Sequence, residues 1–176
     1  TEDAHGYNTA IGRKALTSQN AGADAYNTAV GYNAGFAVTT ALYNTLIGGL
    51  AGDALTTGSD NVAIGRSALE AQNAGQDAYN VAVGYNAGQL VSTGISNTLI
   101  GGEAGDALTT GNNNIAIGYR ALGTEDAHGN NVAIGTNALQ SQNAGANAYN
   151  VAIGHNAGLS VSTGINNNLI GGLAGD

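Results

Sequence analysis

The chain contains no Pro, Cys, Met or Trp, a single Phe, and only 9% charged residues. Without Cys no disulfide can brace the fold, a composition that suits oxidising surroundings without requiring them. Without Met the first residue is not a retained start, so a processed product or a segment of a longer chain is expected. Basic residues number four, Arg13, Lys14, Arg66 and Arg120, against a net charge of −8. They form no basic stripe, and nucleic-acid binding rests on neutralising phosphates with Lys and Arg; nucleic acid is excluded as a partner. No apolar run approaches the ~18 residues of a membrane helix, and no signal peptide is visible. Membrane insertion of this segment is therefore not expected. Disorder is excluded too, because hydrophobic residues reach 43% and charge is low.

What the chain has in abundance is Gly, at 29, and Asn, at 23. They belong to a repeat. A phrase of Asn, Thr or Val, Ala or Leu, Ile or Val, then Gly closes at Gly12, Gly31, Gly48, Gly65, Gly84, Gly101, Gly118, Gly135, Gly154 and Gly171. Successive steps are 17 or 19 residues, and three distinguishable phrases make a 53-residue unit. The unit recurs from Gly65, and again from Gly135 after one extra phrase spanning residues 118–134. The opening "TEDAHG" repeats as Thr124–Gly129, so both ends cut the pattern in mid-phrase.

Each phrase opens with alternating, strand-like text such as "NVAIG" and closes on turn formers such as "TTG", "STG" or "NAG". No phrase offers a helix-length 3.6 period, and Gly every few residues opposes one. The expected fold is all-β: one parallel β-solenoid, a β-roll or β-helix of about ten 17–19-residue coils, occupying residues 1–176 as a single segment. Stacked ~4.8 Å apart, ten coils span roughly 45–50 Å. The Ile/Val column (Ile11, Val30, Ile47, Ile64, Val83, Ile100) is expected inside, with Leu16, Leu69, Leu139, Leu55 and Leu108 as a second inner column. The Thr/Val slot, Thr9 to Val151, reads as inward as well. The Ala column (Ala10, Ala29, Ala63, Ala82, Ala116, Ala133, Ala152), with Leu elsewhere, is expected to face outward and to pack against another copy, the alternative being a third internal face of a wider monomeric coil. The recurring Asn is expected to form an amide ladder at a left-handed corner, and the Gly a corner of positive φ or close backbone approach.

The phrase N-[TV]-[AL]-[IV]-G-x-x-A resembles the head repeats of trimeric autotransporter adhesins, and "NTAIGRKAL…TTGSDNVAIGRSAL" is closer still to repeats of phage tail fibres and related surface proteins that end in an endosialidase-type chaperone domain. The resemblance covers essentially the whole chain, with coils a few residues longer than those of adhesin heads. It implies left-handed β-rolls, a homotrimer, and an extracellular place on a virion fibre or bacterial surface.

Candidate sites are few. Asp24, Asp77 and Asn147 share a column but stand about 15 Å apart per unit, as do Asp53, Asp106 and Asp176, too far for paired-carboxylate hydrolysis. Glu2–Asp3 and Glu125–Asp126 are sequence neighbours pointing to opposite faces. "GGLAGDAL" and "GGEAGDAL" approach the calcium nonapeptide of toxin β-rolls, but Ala51 and Ala104 replace a Gly and neighbouring coils lack the Asp. His5 and His128 hold the same position of one phrase, His155 replaces Tyr32 and Tyr85 in another, and all three are expected at the surface. Tyr26, Tyr79, Tyr149, Tyr32 and Tyr85 are expected to stack along the rod. No catalytic, cofactor-binding or metal residue is expected, and no enzyme. The expected role is a structural shaft or head segment of a trimeric extracellular fibre, with self-association, end-to-end filament growth, and host glycan or protein as partners. A direct glycan- or protein-binding adhesin head is the alternative. An ice-binding solenoid is a second one, opposed by Val62, Val81, Ile115, Val132 and Val151 interrupting the column of Thr9, Thr28, Thr45 and Thr98.

Overall fold

The computed structural model describes residues 6–176 and has no helix among them. The first hexapeptide, with Glu2, Asp3 and His5, lies outside the described residues except for Gly6. Ten three-residue strands occur: β1 Thr9–Ile11, β2 Thr28–Val30, β3 Thr45–Ile47, β4 Val62–Ile64, β5 Val81–Val83, β6 Thr98–Ile100, β7 Ile115–Ile117, β8 Val132–Ile134, β9 Val151–Ile153 and β10 Asn168–Ile170. They pair in parallel, in chain order, as one sheet. The register is like for like, with Ala63 opposite Ala82 and Ile64 opposite Val83. Coils are numbered here by the strand that opens each.

β-Branched residues favour the extended start of each coil, and Gly ends it. The closing Gly adopts φ between +127° and +142°. A Cβ on Gly101 would lie 2.6 Å from the carbonyl oxygen of Gly118, so another side chain is barred by backbone approach as well as by φ. Two further left-handed positions follow in every coil, as at Ser67 (φ 57°) and Leu69 (φ 48°) of coil 4. The coil thus turns tightly without proline, and carbonyl-to-amide bonds continue from coil to coil around it, as in Leu69 N to Ala87 O at 3.1 Å.

The core corrects the expected facing. Alternation along three residues separates the middle side chain from its two neighbours but does not say which side is inside. The middle residue is inside: Ala29, Leu46, Ala63, Ala82, Leu99, Ala116, Ala133 and Ala152 are completely buried. The Ile/Val and Thr/Val columns point outward, half-buried or exposed. The reason is volume. A coil this narrow has room for three inward side chains, from the strand centre and from the fourth and seventh residues after the Gly. In coil 4 they are Ala63, Leu69 and Gln72; in coil 5 Ala82, Gly88 and Val91; in coil 6 Leu99, Gly105 and Leu108. Large and small alternate so that neighbours fill one another's space: a Cβ on Gly35 would strike Leu46 Cδ1 of the next coil at 2.7 Å and Leu16 Cδ2 of the previous one at 3.0 Å. This interlock explains why the unit is three coils and not one. Leu69, Leu122 and Leu139 hold a left-handed φ of 48–54°. That strain costs about 1–2 kcal/mol each, and full burial of a leucine returns about 2–3 kcal/mol.

The recurring Asn forms a buried ladder. Each backbone N–H donates to Oδ1 of the Asn one coil earlier, from Asn44 to Asn27 (2.8 Å) through Asn114 to Asn97 (3.0 Å) to Asn167 on Asn150 (2.8 Å). The Asn97 amide donates on to Asn80 Oδ1 (3.2 Å) and Gly111 O (2.9 Å). The ladder is as expected, but the left-handed residue at this corner is the one before it: Tyr26, Tyr43, Asp60, Tyr79, Ser96, Asn113, Asn130, Tyr149 and Asn166 have φ from 51° to 65°.

Candidate interaction surfaces

With the middle residues turned inward, the first and third residues of each strand form an outward sheet face. One column runs Thr9, Thr28, Thr45, Val62, Val81, Thr98, Ile115, Val132, Val151, Asn168; the other is Ile or Val throughout. Neither column carries a charge, and within the rod Ile47, Ile64, Ile100 and Ile153 remain 36–37% exposed. Two columns across ten coils cover about 400 Å², the size of the largest apolar patch on a typical soluble chain, which is often a functional one.

Polar ladders flank this face. Tyr7, Tyr26 and Tyr43 stack with centroids 5.1 and 5.7 Å apart and rings within 7° of parallel. Tyr79 and Tyr149 sit alone in the same column because coils 3, 5, 6 and 7 close on Asp60, Ser96, Asn113 and Asn130 there. Tyr32 and Tyr85 do not stack on each other; they accept the guanidinium groups of Arg13 and Arg66 at 5.7 and 4.4 Å. The Tyr26 hydroxyl is raised above its ordinary pKa by partial desolvation, with Asp24 adding to it, and that of Tyr79 chiefly by Asp77.

Asp53 and Asp106, the acids of the calcium-like phrases, are three coils apart. Burial, then Glu70 for Asp53 and Glu103 for Asp106, pushes both carboxyls above the usual range. Asp24, Asp77 and Asn147 are exposed and stand three and four coils apart along the rod. Beside Asp106 a cleft of about 260 Å³ is lined by Arg120, Gly123, Thr124 and Gln140. It exists because Gly123 leaves a gap in the column that carries Glu70, Gln89, Asp106 and Gln140. Arg120 Nε donates to Glu103 Oε2 at 2.6 Å along its rim, which strengthens the guanidinium's hold on its proton.

Coil 7, the extra one, brings together residues whose sequence spacing gave no sign of it. Glu125 is buried and Asp126 exposed, as their adjacency implies, yet a ligand atom from each and from His128 all lie within 4.8 Å of one another. His155 is exposed and apart from them. Glu125 stands in the inward column of Gln19, Gln72 and Gln142, a buried polar column that the reading by hydrophobic pattern missed. Aligning the coils on their Gly, seven residues back, finds it.

No family model matches the chain, and neither a curated protein nor a solved structure is significantly similar to it.

Proposed function

We propose that the chain is a structural shaft or head segment of an extracellular fibre, on a phage or a bacterial surface, in which three left-handed β-rolls associate through their apolar sheet faces. The observation that carries the reading is the uncharged two-column face running the whole length of the rod. Three chains are chosen on the resemblance of the repeat phrase to those of trimeric fibres. The role is mechanical: a stiff stack of hydrogen-bonded coils holds a receptor-binding element at a distance.

Light scattering on the eluting protein tests this. The parent is expected at three times the 17.3 kDa chain mass. Ile64→Lys combined with Ile117→Lys, both on the outward face, is expected at one chain mass with an unchanged far-UV spectrum. A monomeric parent refutes the assembly. The stacked Tyr7, Tyr26 and Tyr43 support a second reading, a direct glycan-binding head, because exposed aromatic rings suit sugar faces; glycan-array binding lost in Tyr26→Ala would establish it. The outward Thr/Val column reopens the ice-binding reading in one respect, since it is solvent-facing after all. Its hydroxyls nevertheless occur in only four of ten coils, Thr9, Thr28, Thr45 and Thr98, beside a column with none.

A further inference from the structure

The corner of coil 7 breaks the rules that the other coils keep. In coils 1, 4 and 8 the inward Gln accepts from or lies beside the Asn ladder: Asn27 Nδ2 donates to Gln19 Oε1 at 2.9 Å, Asn80 to Gln72 at 3.0 Å and Asn150 to Gln142 at 2.7 Å. Glu125 takes that slot but turns from it. Its Oε1 accepts the backbone N–H of His128 at 3.1 Å and lies 3.3 Å from His128 Nδ1. Glu125 Oε2 and Asn131 Nδ2 are fully enclosed here without a hydrogen-bond partner among the described residues; in the same slot of coils 4 and 8 the unpartnered atom is the neutral amide nitrogen of Gln72 or Gln142. A buried carboxylate oxygen with no donor is costly, far more so than an amide in the same place. No Lys or Arg makes an ion pair with Glu125 among the described residues; its one such contact is the His128 ring.

We propose that Glu125, Asp126 and His128 bind a divalent transition-metal cation, Zn²⁺ being the ion whose preferences they meet. Two carboxylates and an imidazole nitrogen form a mixed oxygen and nitrogen set, which suits Zn²⁺ and its first-row neighbours. Calcium takes six to eight oxygen ligands instead. Bonds of ~2.0–2.1 Å place the ligands of a tetrahedral ion about 3.3 Å apart, the separation already held by Glu125 Oε1 and His128 Nδ1. Asp126 is exposed, so its side chain can close the remaining distance. Solvent completes the shell on the half-open side of His128. The ion neutralises the one buried acid among the described residues and ties the coil interior to its corner. The identical hexapeptide at Thr1–Gly6 repeats Glu, Asp and His at the same spacing, as Glu2, Asp3 and His5.

The test uses the full chain carrying His5→Asn, which removes the second hexapeptide as a competing binder. After treatment with EDTA it is titrated with ZnCl₂ by calorimetry and with CoCl₂ by visible absorption. One equivalent of Zn²⁺ is expected, with a rise in Tm, because an ion that binds only the folded chain stabilises it. Glu125→Gln installs the residue that the same slot holds at Gln72 and Gln142, and His128→Asn alters a half-exposed side chain, so both variants are expected to keep the far-UV spectrum. Each is expected to weaken Zn²⁺ binding by about tenfold or more and to lose the rise in Tm. No saturable binding by the His5→Asn chain overturns the proposal, as does undiminished binding in either variant.

Discussion

Gly101→Ala is the sharpest test of the stack. The added Cβ would sit 2.6 Å from Gly118 O and 2.7 Å from its carbonyl carbon, where real contacts stop at 3.0 Å. Backbone cannot swing aside as a side chain can, so the step between coils 6 and 7 must open. The bonds crossing it include Gly118 N to Ile100 O at 2.7 Å, Thr98 N to Asn114 O at 2.9 Å and Arg120 N to Gly102 O at 3.1 Å. Forcing a side chain to φ +133° costs about 1–3 kcal/mol, and weakening two such bonds about 2 kcal/mol more, for a total of about 3–5 kcal/mol. Gly145→Ala is the control: its φ is +71° and nothing lies within 4 Å, so only the left-handed penalty of about 1–2 kcal/mol applies. Both are measured by chemical denaturation followed by far-UV circular dichroism. Because each coil contacts only its neighbours, a fault in the middle also uncouples the two halves, and the melt of Gly101→Ala should broaden or split. Equal losses for the two variants would refute like-for-like stacking at the glycine corner.

Two more outcomes follow from the interior and the flank. Asn97→Ala strands the buried Asn114 N–H and Gly111 carbonyl, which now bond at 3.0 and 2.9 Å, and should cost about 2–4 kcal/mol in the same denaturation assay. Asp106→Asn should raise Tm at neutral pH. Its carboxyl is raised in the fold, so ionisation opposes folding above that raised value; the protonated acid is the favoured form below it, and the advantage of Asn should vanish as pH falls through the ordinary carboxylate range near 4.

The period of Gly and Asn made the parallel stack legible, because only like-for-like neighbours explain a residue that must recur in every turn. The same pattern misled on facing. Ile and Val are the better core formers in isolation, and the outward Ala column looked like an interface; what decides is how much side-chain volume one coil can enclose. That, too, was written in the chain, as the exclusion between Leu46 and Gly52 within a coil and between Ala63 and Leu69 in another. The meeting of Glu125 with His128 had no such signal. It depends on where one coil turns its corner, which spacing within a repeat does not tell.

The large-and-small complementarity of the core also governs how such a gene could grow. A duplication that ends between Leu16 and Gly35, or between Leu46 and Gly35, would leave two bulky coils facing each other or a glycine hollow with nothing to occupy it. Whole triplets splice cleanly. Coil 7 shows the other permitted joint: Leu122 and Leu139 lie on successive coils whose strand centres are both alanine, Ala116 and Ala133. Lineages of this protein would then differ in length by three turns, or by a lone turn of the alanine-and-leucine kind, and seldom by anything between.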